Sequence, residues 1–416
     1  MRNILGLLII LIILVAGCTS VEIPIVQPIS FQMKDDSEAT ELGVQEVVDA
    51  NNQFAIDMYS EIKDGGENVF FSPYSISNGF AITYEGSRGE TADEIKSVLH
   101  FPDDDIILRS SYARLHNMLN KPNDNYELSV ANAFWAHEDY PFLEEYKDLI
   151  QKYYAAGIEN LDFVGETEKS RVTINDWVEK QTRNKIKDLI PLGVLSSDTR
   201  FVITNAIYFR GFWTNKFDKS ETKEEDFRLT SGETVKVPMM RLEDDDLEFN
   251  YTETDEAQVL ELPYKGGDLS MVILLPKNDD IAGLESSLNS QKLEEWRSGF
   301  IGRTVYVYLP KFKFETKYFL KDILYEMGMP LAFGREADFS GMDGSQMLFI
   351  DKVIHQAFVE VDEEGTEAAA ATAIIGALKA GPPSHIEFRA DHPFIFLIQE
   401  KSTGNILFMG KVGNPS

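Results

Sequence analysis

The chain has 416 residues, 43% of them hydrophobic, with 27 Phe and 16 Tyr. That is enough apolar material for a large core and excludes a disordered chain. The net charge is −30; phosphate backbones are held by clustered Lys and Arg, so nucleic acid is excluded as a partner, and the charge serves solubility or draws basic partners.

At the N-terminus, Arg2 precedes a short apolar run from Ile4 to Val15, broken only by Gly6. A bilayer-spanning helix needs about 20 apolar residues, so the run fits the core of an export signal over residues 1–17. Val15-Ala16-Gly17-Cys18 resembles a prokaryotic lipobox, whose cysteine receives a lipid. Cys18 is the sole cysteine, so no internal disulfide is available to it. A plain signal or uncleaved anchor with an incidental Cys would also fit. Lipidation of Cys18 would place the protein at the outer face of a cell-envelope membrane. Residues 18–42 read as a tether: Pro24 and Pro28 interrupt β-branched residues, and Lys34-Asp35-Asp36-Ser37-Glu38 shows no apolar period. A flexible chain of about 25 residues has an r.m.s. reach of roughly 25–30 Å.

Residues 43–416 read as one mixed α+β domain. Val47, Val48, Asn51, Phe54, Ala55, Met58, Tyr59 and Ile62 predict a helix, with Asn51 its polar exception. Ile174, Trp177 and Val178 predict a second, continued by Ile186 and Leu189. Val259–Leu262 and Leu269–Leu275 flank Gly266-Gly267-Asp268 and predict a hairpin. Val305, Val307 and Leu309 alternate with Tyr306 and Tyr308 as a strand. Ile395–Ile398 and Ile406–Met409 predict two buried C-terminal strands. No regular βαβ rhythm or internal repeat is present, which favours α+β over a doubly wound sheet.

No His-Glu-x-x-His, Cys-x-x-Cys, Gly-x-Ser-x-Gly or phosphate-loop pattern occurs. The six His are scattered apart from His385 and His392, which read as structural. Nothing nominates an enzyme, a metal or a cofactor.

Residues 359–383 are different in kind. An alternating strand runs into Glu363-Glu364-Gly365, four alanines follow at 368–371, and Pro382-Pro383 close the segment. As a strand, it would turn Thr366, Ala368, Ala370, Thr372, Ile374 and Gly376 to one face, none charged or large. Glu367 falls on the other face with Ala369, Ala371, Ala373 and Ile375. Such a segment could enter a sheet with no buried charge, or stay outside as a loop, since alanine is a poor strand former. Composition alone favours an Ala-rich helix or a mobile linker.

The run Glu363 to Thr372 is similar to the hinge of inhibitory serpins. Further runs carry the same resemblance: Asn68–Ser77 (NVFFSPYSIS), Gly86–Ile95 (GSRGETADEI), Ile174–Lys180 (INDWVEK), Asn205–Trp213 (NAIYFRGFW), Asp391–Phe396 (DHPFIF) and Phe408–Pro415 (FMGKVGNP). The resemblance spans roughly Val47 to Pro415. It implies a serpin fold: three β-sheets, about eight to nine helices and an exposed reactive-centre loop. It implies a hinge at Gly365, Thr366, Glu367, Ala368, Ala369, Ala370, Ala371 and Thr372. The cleaved bond would follow the fourteenth residue after the hinge glycine, making it Lys379–Ala380. The polar shutter under the parting sheet would be Ser72, Ser75, Asn205 and His355, and Trp213 would mark the breach where insertion begins.

The resemblance further implies a suicide inhibitor, not an enzyme. A serine protease, trypsin-like given Lys379, would be trapped as an acyl-enzyme while the loop enters the main sheet. Cleavage after Leu378 would select chymotrypsin-like targets. The resemblance is also compatible with a cysteine protease as target, or with a non-inhibitory surface binding role. Around Arg109 and Arg114, where some serpins bind glycosaminoglycans, no compact basic cluster occurs, so no such cofactor is expected. A monomer is expected.

Overall fold

The computed structural model describes residues 31–366 and 385–416. Cys18, Glu367, Ala368, Ala369, Ala370, Ala371, Thr372, Leu378, Lys379 and Ala380 lie outside the described residues.

A six-stranded sheet forms the front. Its order is 312–319, 352–362, 365–366, 201–212, 126–137 and 157–161. The seam in its centre is parallel, from Lys352 opposite Val202 to Phe358 opposite Tyr208. Both flanking pairs are antiparallel. A ten-stranded sheet lies behind, from 69–71 through 406–412, 394–400, 269–276, 257–263, 248–253, 301–310 and 234–242 to 223–228, with 386–389 beside 301–310. Strand 301–310 pairs first with 248–253 and then with 234–242 and 386–389. Of the three sheets implied by the resemblance, two are therefore joined in one ladder. Ten α-helices occur among the described residues, more than the eight to nine implied because short ones such as 320–326 and 340–343 form between strands.

Period-two alternation sorts the strand residues. On strand 126–137, Phe134 and Ala136 face the main core, while Ala131, Ala133 and Trp135 pack under the helix Thr167–Gln181 with Ile174, Trp177 and Val178. That helix thus lies across the outer face of the sheet. It ends at Gln181, and Arg183, Asn184 and Asp188 have positive φ. Ile186 and Leu189, read as its continuation, are instead a non-helical turn whose side chains stay buried in the same cluster.

The predicted first helix spans Glu41–Ile62, with Thr40 Oγ1 accepting from Gly43 N. Its polar exception is explained: buried Asn51 donates to Asn405 Oδ1 at 2.8 Å and Ile406 O at 3.0 Å. The hairpin 257–263/269–276 turns at Gly266 and Gly267, both at positive φ. The tether reading to residue 42 requires correction. Phe31 stacks on His116, Lys34 N donates to Asn117 Oδ1 and Asp35 N to Lys152 O, and Asp36 pairs with Arg114. Residues 31–40 are part of the domain because the helices 105–120 and 144–153 bond the backbone of Lys34 and Asp35 and the side chains beside them, a signal that hydropathy does not carry.

Candidate functional site at the parting of the six-stranded sheet

Strands 201–212 and 352–362 stay paired only up to Tyr208 and Phe358. Above this point they separate, and the chain turns back between them. Asp362 forms the turn: its Oδ1 accepts from Glu364 N at 2.9 Å and Gly365 N at 3.2 Å. Gly365 then stands opposite Asp362 and Phe212, and Thr366 opposite Val361 and Gly211. The first two residues of the expected hinge thus form a short strand between the two longer ones. Gly365 is required there, because a Cβ would lie 2.0 Å from Gly211 O. Thr366 is 1% exposed.

The mouth of this gap is held by aromatic stacking and charge. Trp213 Nε1 donates to Asp362 O at 3.0 Å, and Trp213 N to Glu364 O at 2.9 Å. Its ring stacks on Tyr264 at 4.6 Å, whose hydroxyl shares a hydrogen bond with Thr366 Oγ1 at 2.7 Å. Two carboxylates flank the turn. Glu363 accepts from Lys311 Nζ at 2.9 Å and Thr222 Oγ1 at 2.8 Å. Glu364 pairs with Lys216 and Lys219. Burial would raise both acids, but these lysines and the Thr222 hydroxyl outweigh it and hold both carboxyls below their ordinary value.

Lower down lie the four residues expected to form a shutter. Ser72, Ser75, Asn205 and His355 are brought together in one buried network. Ser72 Oγ donates to Leu407 O at 2.6 Å and accepts from Ser75 N. Asn205 Nδ2 donates to Ser75 O at 2.7 Å and Ser75 Oγ at 2.9 Å. Ser72 N donates to His355 Nε2 at 3.1 Å, which leaves Nδ1 as the N–H that donates to Asn205 Oδ1. The imidazole is therefore neutral in a fixed tautomer. Burial pushes His355 down to about 3, against the Asn205 contact, which raises it.

Several members escaped the sequence reading. Asn132, opposite Asn205 in the ladder, joins the shutter through Ser75 Oγ at 3.2 Å and through Asn205. Its signal was an amide inside the otherwise apolar run 130–136, between Ala131 and Ala133. Tyr264, Lys311, Lys216 and Lys219 come from distant segments and carry no local signal. Arg109 is engaged by Glu85 at 2.9 Å and Arg114 by Asp36 at 2.6 Å. His392 bonds to Asp391 Oδ1 and Pro276 O, a structural role.

The arrangement defines a class: a sheet with a closed lower seam, an open mouth and a strand begun in that mouth. The chain belongs to the serpin family, described as serine protease inhibitors, whose family model matches residues 49–415. An uncharacterized serpin-like protein of Methanosarcina acetivorans is 43% identical over 413 residues, 97% of this chain and 96% of its own length. Leukocyte elastase inhibitor A of Rattus norvegicus is 40% identical over 382 residues, 89% of this chain and 100% of its own. The structure of uncleaved ovalbumin superposes with a TM-score of 0.80 at 32% identity, covering 89% of this chain and 100% of that one. Thyroxine-binding globulin complexed with thyroine has a TM-score of 0.81 at 29% identity, covering 90% of this chain and 100% of that one. The family is generally one of protease inhibitors rather than catalysts, and relatives such as the elastase inhibitor are named for that activity.

Proposed function

We propose that this serpin is a suicide inhibitor of trypsin-like serine proteases, exported and lipid-anchored through Cys18 at the outer face of a cell envelope. The protease serine attacks the Lys379 carbonyl, the Lys379–Ala380 C–N bond breaks, and the Ala380 amine leaves with a proton from the protease histidine. An ester joins Lys379 to the protease. The freed loop enters the six-stranded sheet and carries the protease away before water hydrolyses that ester.

One observation supports this reading above the others: Gly365 and Thr366 already occupy the mouth in strand register. Continuing that register fixes where the next residues would fall. Glu367 would stand opposite Arg210 and Glu360, on the outer face. Ala368 would stand opposite Phe209 and Val359, and Thr372 opposite Asn205 and His355 on the inner face. The one charge of the hinge would stay in water, and a hydroxyl would arrive between the two shutter groups that its own entry separates. The pairing 352–358 with 202–208 closes the seam below, which supports reading this as the state before insertion. Strain is stored until cleavage, as in a kinetically trapped fold.

A charged Lys379 side chain suits a specificity pocket with a buried carboxylate. Incubation with trypsin-like, chymotrypsin-like and cysteine proteases, followed by denaturing gels and mass spectrometry of the released C-terminal peptide, tests the assignment. The expected peptide begins at Ala380, with a complex stable to denaturant. A peptide beginning at Lys379 would move the bond to follow Leu378. Cleavage with no complex for any protease would sink the inhibitory reading in favour of a surface binding protein.

A further inference from the structure

We infer that Tyr264 is a positioning residue for loop insertion, whose hydroxyl anchors Thr366 in the mouth and keeps the new strand nucleated before cleavage. The inference rests on the inhibitory reading above, but its basis is geometric. Two residues make a poor strand. Ordering them costs backbone entropy, most of all at a glycine, and they return few ladder hydrogen bonds. The four alanines that follow have small strand propensity and no side chain able to hold a place. The seated hinge therefore needs a specific contact, and Thr366 is its first side chain.

That contact is held from several sides. Tyr264 sits where the hairpin 257–263/269–276 meets the top of strand 201–212: Lys265 N donates to Phe212 O at 2.7 Å, and Tyr264 N to Leu269 O at 3.0 Å. Its fully buried ring is stacked on Trp213 and meets Phe209 edge-on at 5.2 Å. Gly211 makes room for it, since a Cβ there would lie 2.8 Å from the Tyr264 ring and 2.7 Å from that of Phe209. The ring has no freedom to turn away, so the hydroxyl is presented at one point. Thr366 Oγ1 lies 2.7 Å from it in a site closed to water. Each hydroxyl is the other's partner, and loss of either leaves a buried polar group unpaired.

With Thr366 held, Glu367 adds to an existing strand end rather than starting one. Insertion competes with deacylation, so the anchor decides how much protease is trapped and how much escapes. It does not touch the reacting bond, and the rate of cleavage is independent of it.

The test uses the whole chain with Tyr264→Phe, Thr366→Val and the double variant. Tyr264→Phe keeps the stacked ring, and thermal unfolding verifies the fold of each. The first readout is amide hydrogen exchange at Gly365 and Thr366 in the uncleaved protein, which needs no protease. Exchange about tenfold faster in Tyr264→Phe is expected; equal exchange overturns the anchor, whatever the protein inhibits. The second is inhibitor consumed per protease trapped. Each single variant is expected to raise it several-fold at an unchanged cleavage rate, and the double variant to be no worse than either, because it removes both partners of one contact. Single effects that multiply in the double variant, or an unchanged stoichiometry, overturn the proposal. A wild-type chain that traps nothing, with exchange still accelerated by Tyr264→Phe, would leave the anchor standing and remove the inhibitory reading beneath it.

Discussion

His355 and Asn205 stand directly opposite one another in the parallel seam of the six-stranded sheet, and His355 Nδ1–H donates to Asn205 Oδ1 across it. A strand entering the seam must pass between these residues. The contact is therefore a bond of the closed state, and its loss should weigh on the closed state more than on the inserted one.

Asn205→Ala leaves the His355 N–H buried without a partner, at a cost of about 1–3 kcal/mol, and in both forms it also removes the Nδ2 bonds to Ser75. The uncleaved chain should unfold several degrees lower. The cleaved, inserted chain should lose less than half as much, since its His355 faces Thr372 instead. Parallel thermal melts of both forms make the comparison; an equal loss in both would show that the contact survives insertion.

The pH dependence follows from the same imidazole. Its folded pKa, about 3, lies below the ordinary 6.5. The unfolded chain then takes up the proton first, so stability is full above 6.5 and is lost as pH falls toward 3. Glu85 acts oppositely: burial raises it to about 7, so acidification below 7 favours its folded form. Comparing wild type with His355→Gln cancels Glu85 and all other shared groups. As pH falls from 6.5 to 4.5 the wild type should lose stability relative to the variant with a slope that steepens toward about 1.4 kcal/mol per pH unit. Denaturant melts across that range measure it, and parallel curves would mean that His355 titrates normally.

Below about 4.5, Glu363 and Glu364 add to the acid loss, because carboxyls held low in the fold contribute stability only while ionised. They differ in redundancy. Among the described residues, Glu363 has one lysine, Lys311, whereas Glu364 has Lys216 and also Lys219 at 3.3 Å. Lys311→Ala should cost about 1–2 kcal/mol and Lys216→Ala well under half of that. Urea unfolding at pH 7 ranks the two, and the reverse order would contradict the placement of the charges.

Anchoring is tested apart from the sheet. In a lipoprotein-competent host, Cys18→Ser should move the protein from the membrane fraction to the soluble one without altering inhibition. A wild-type chain that is soluble and carries no lipid would rule the anchor out.

The α+β class and the buried faces of the long elements were legible because period and composition are local. The helix 41–62, the hairpin around Gly266 and the C-terminal strands all followed from spacing. Ser72, Ser75, Asn205 and His355 came from the resemblance, and the fold brings all four together. What could not be read locally is what the topology joins. Tyr264 meets Thr366 across 102 positions and Lys311 meets Glu363 across 52, and no period connects them. Lys34 looked like solvated chain, yet Asn117 satisfies its backbone N–H and C=O. The end of the helix at Gln181 was hidden because Ile186 and Leu189 remain buried after the backbone has left the helix.

The proposed trap works by loop insertion, and the heat stability of the cleaved chain reads insertion directly. Cutting the uncleaved protein within residues 373–380, with the fragments kept together, frees the loop without any need for the true target. Ten or more new ladder bonds at about 1 kcal/mol each should raise the unfolding midpoint by roughly 20 °C. A cleaved chain that melts at or below the midpoint of the intact one would contradict the mechanism, because a sheet that gains no strand on cleavage has nothing with which to trap a protease.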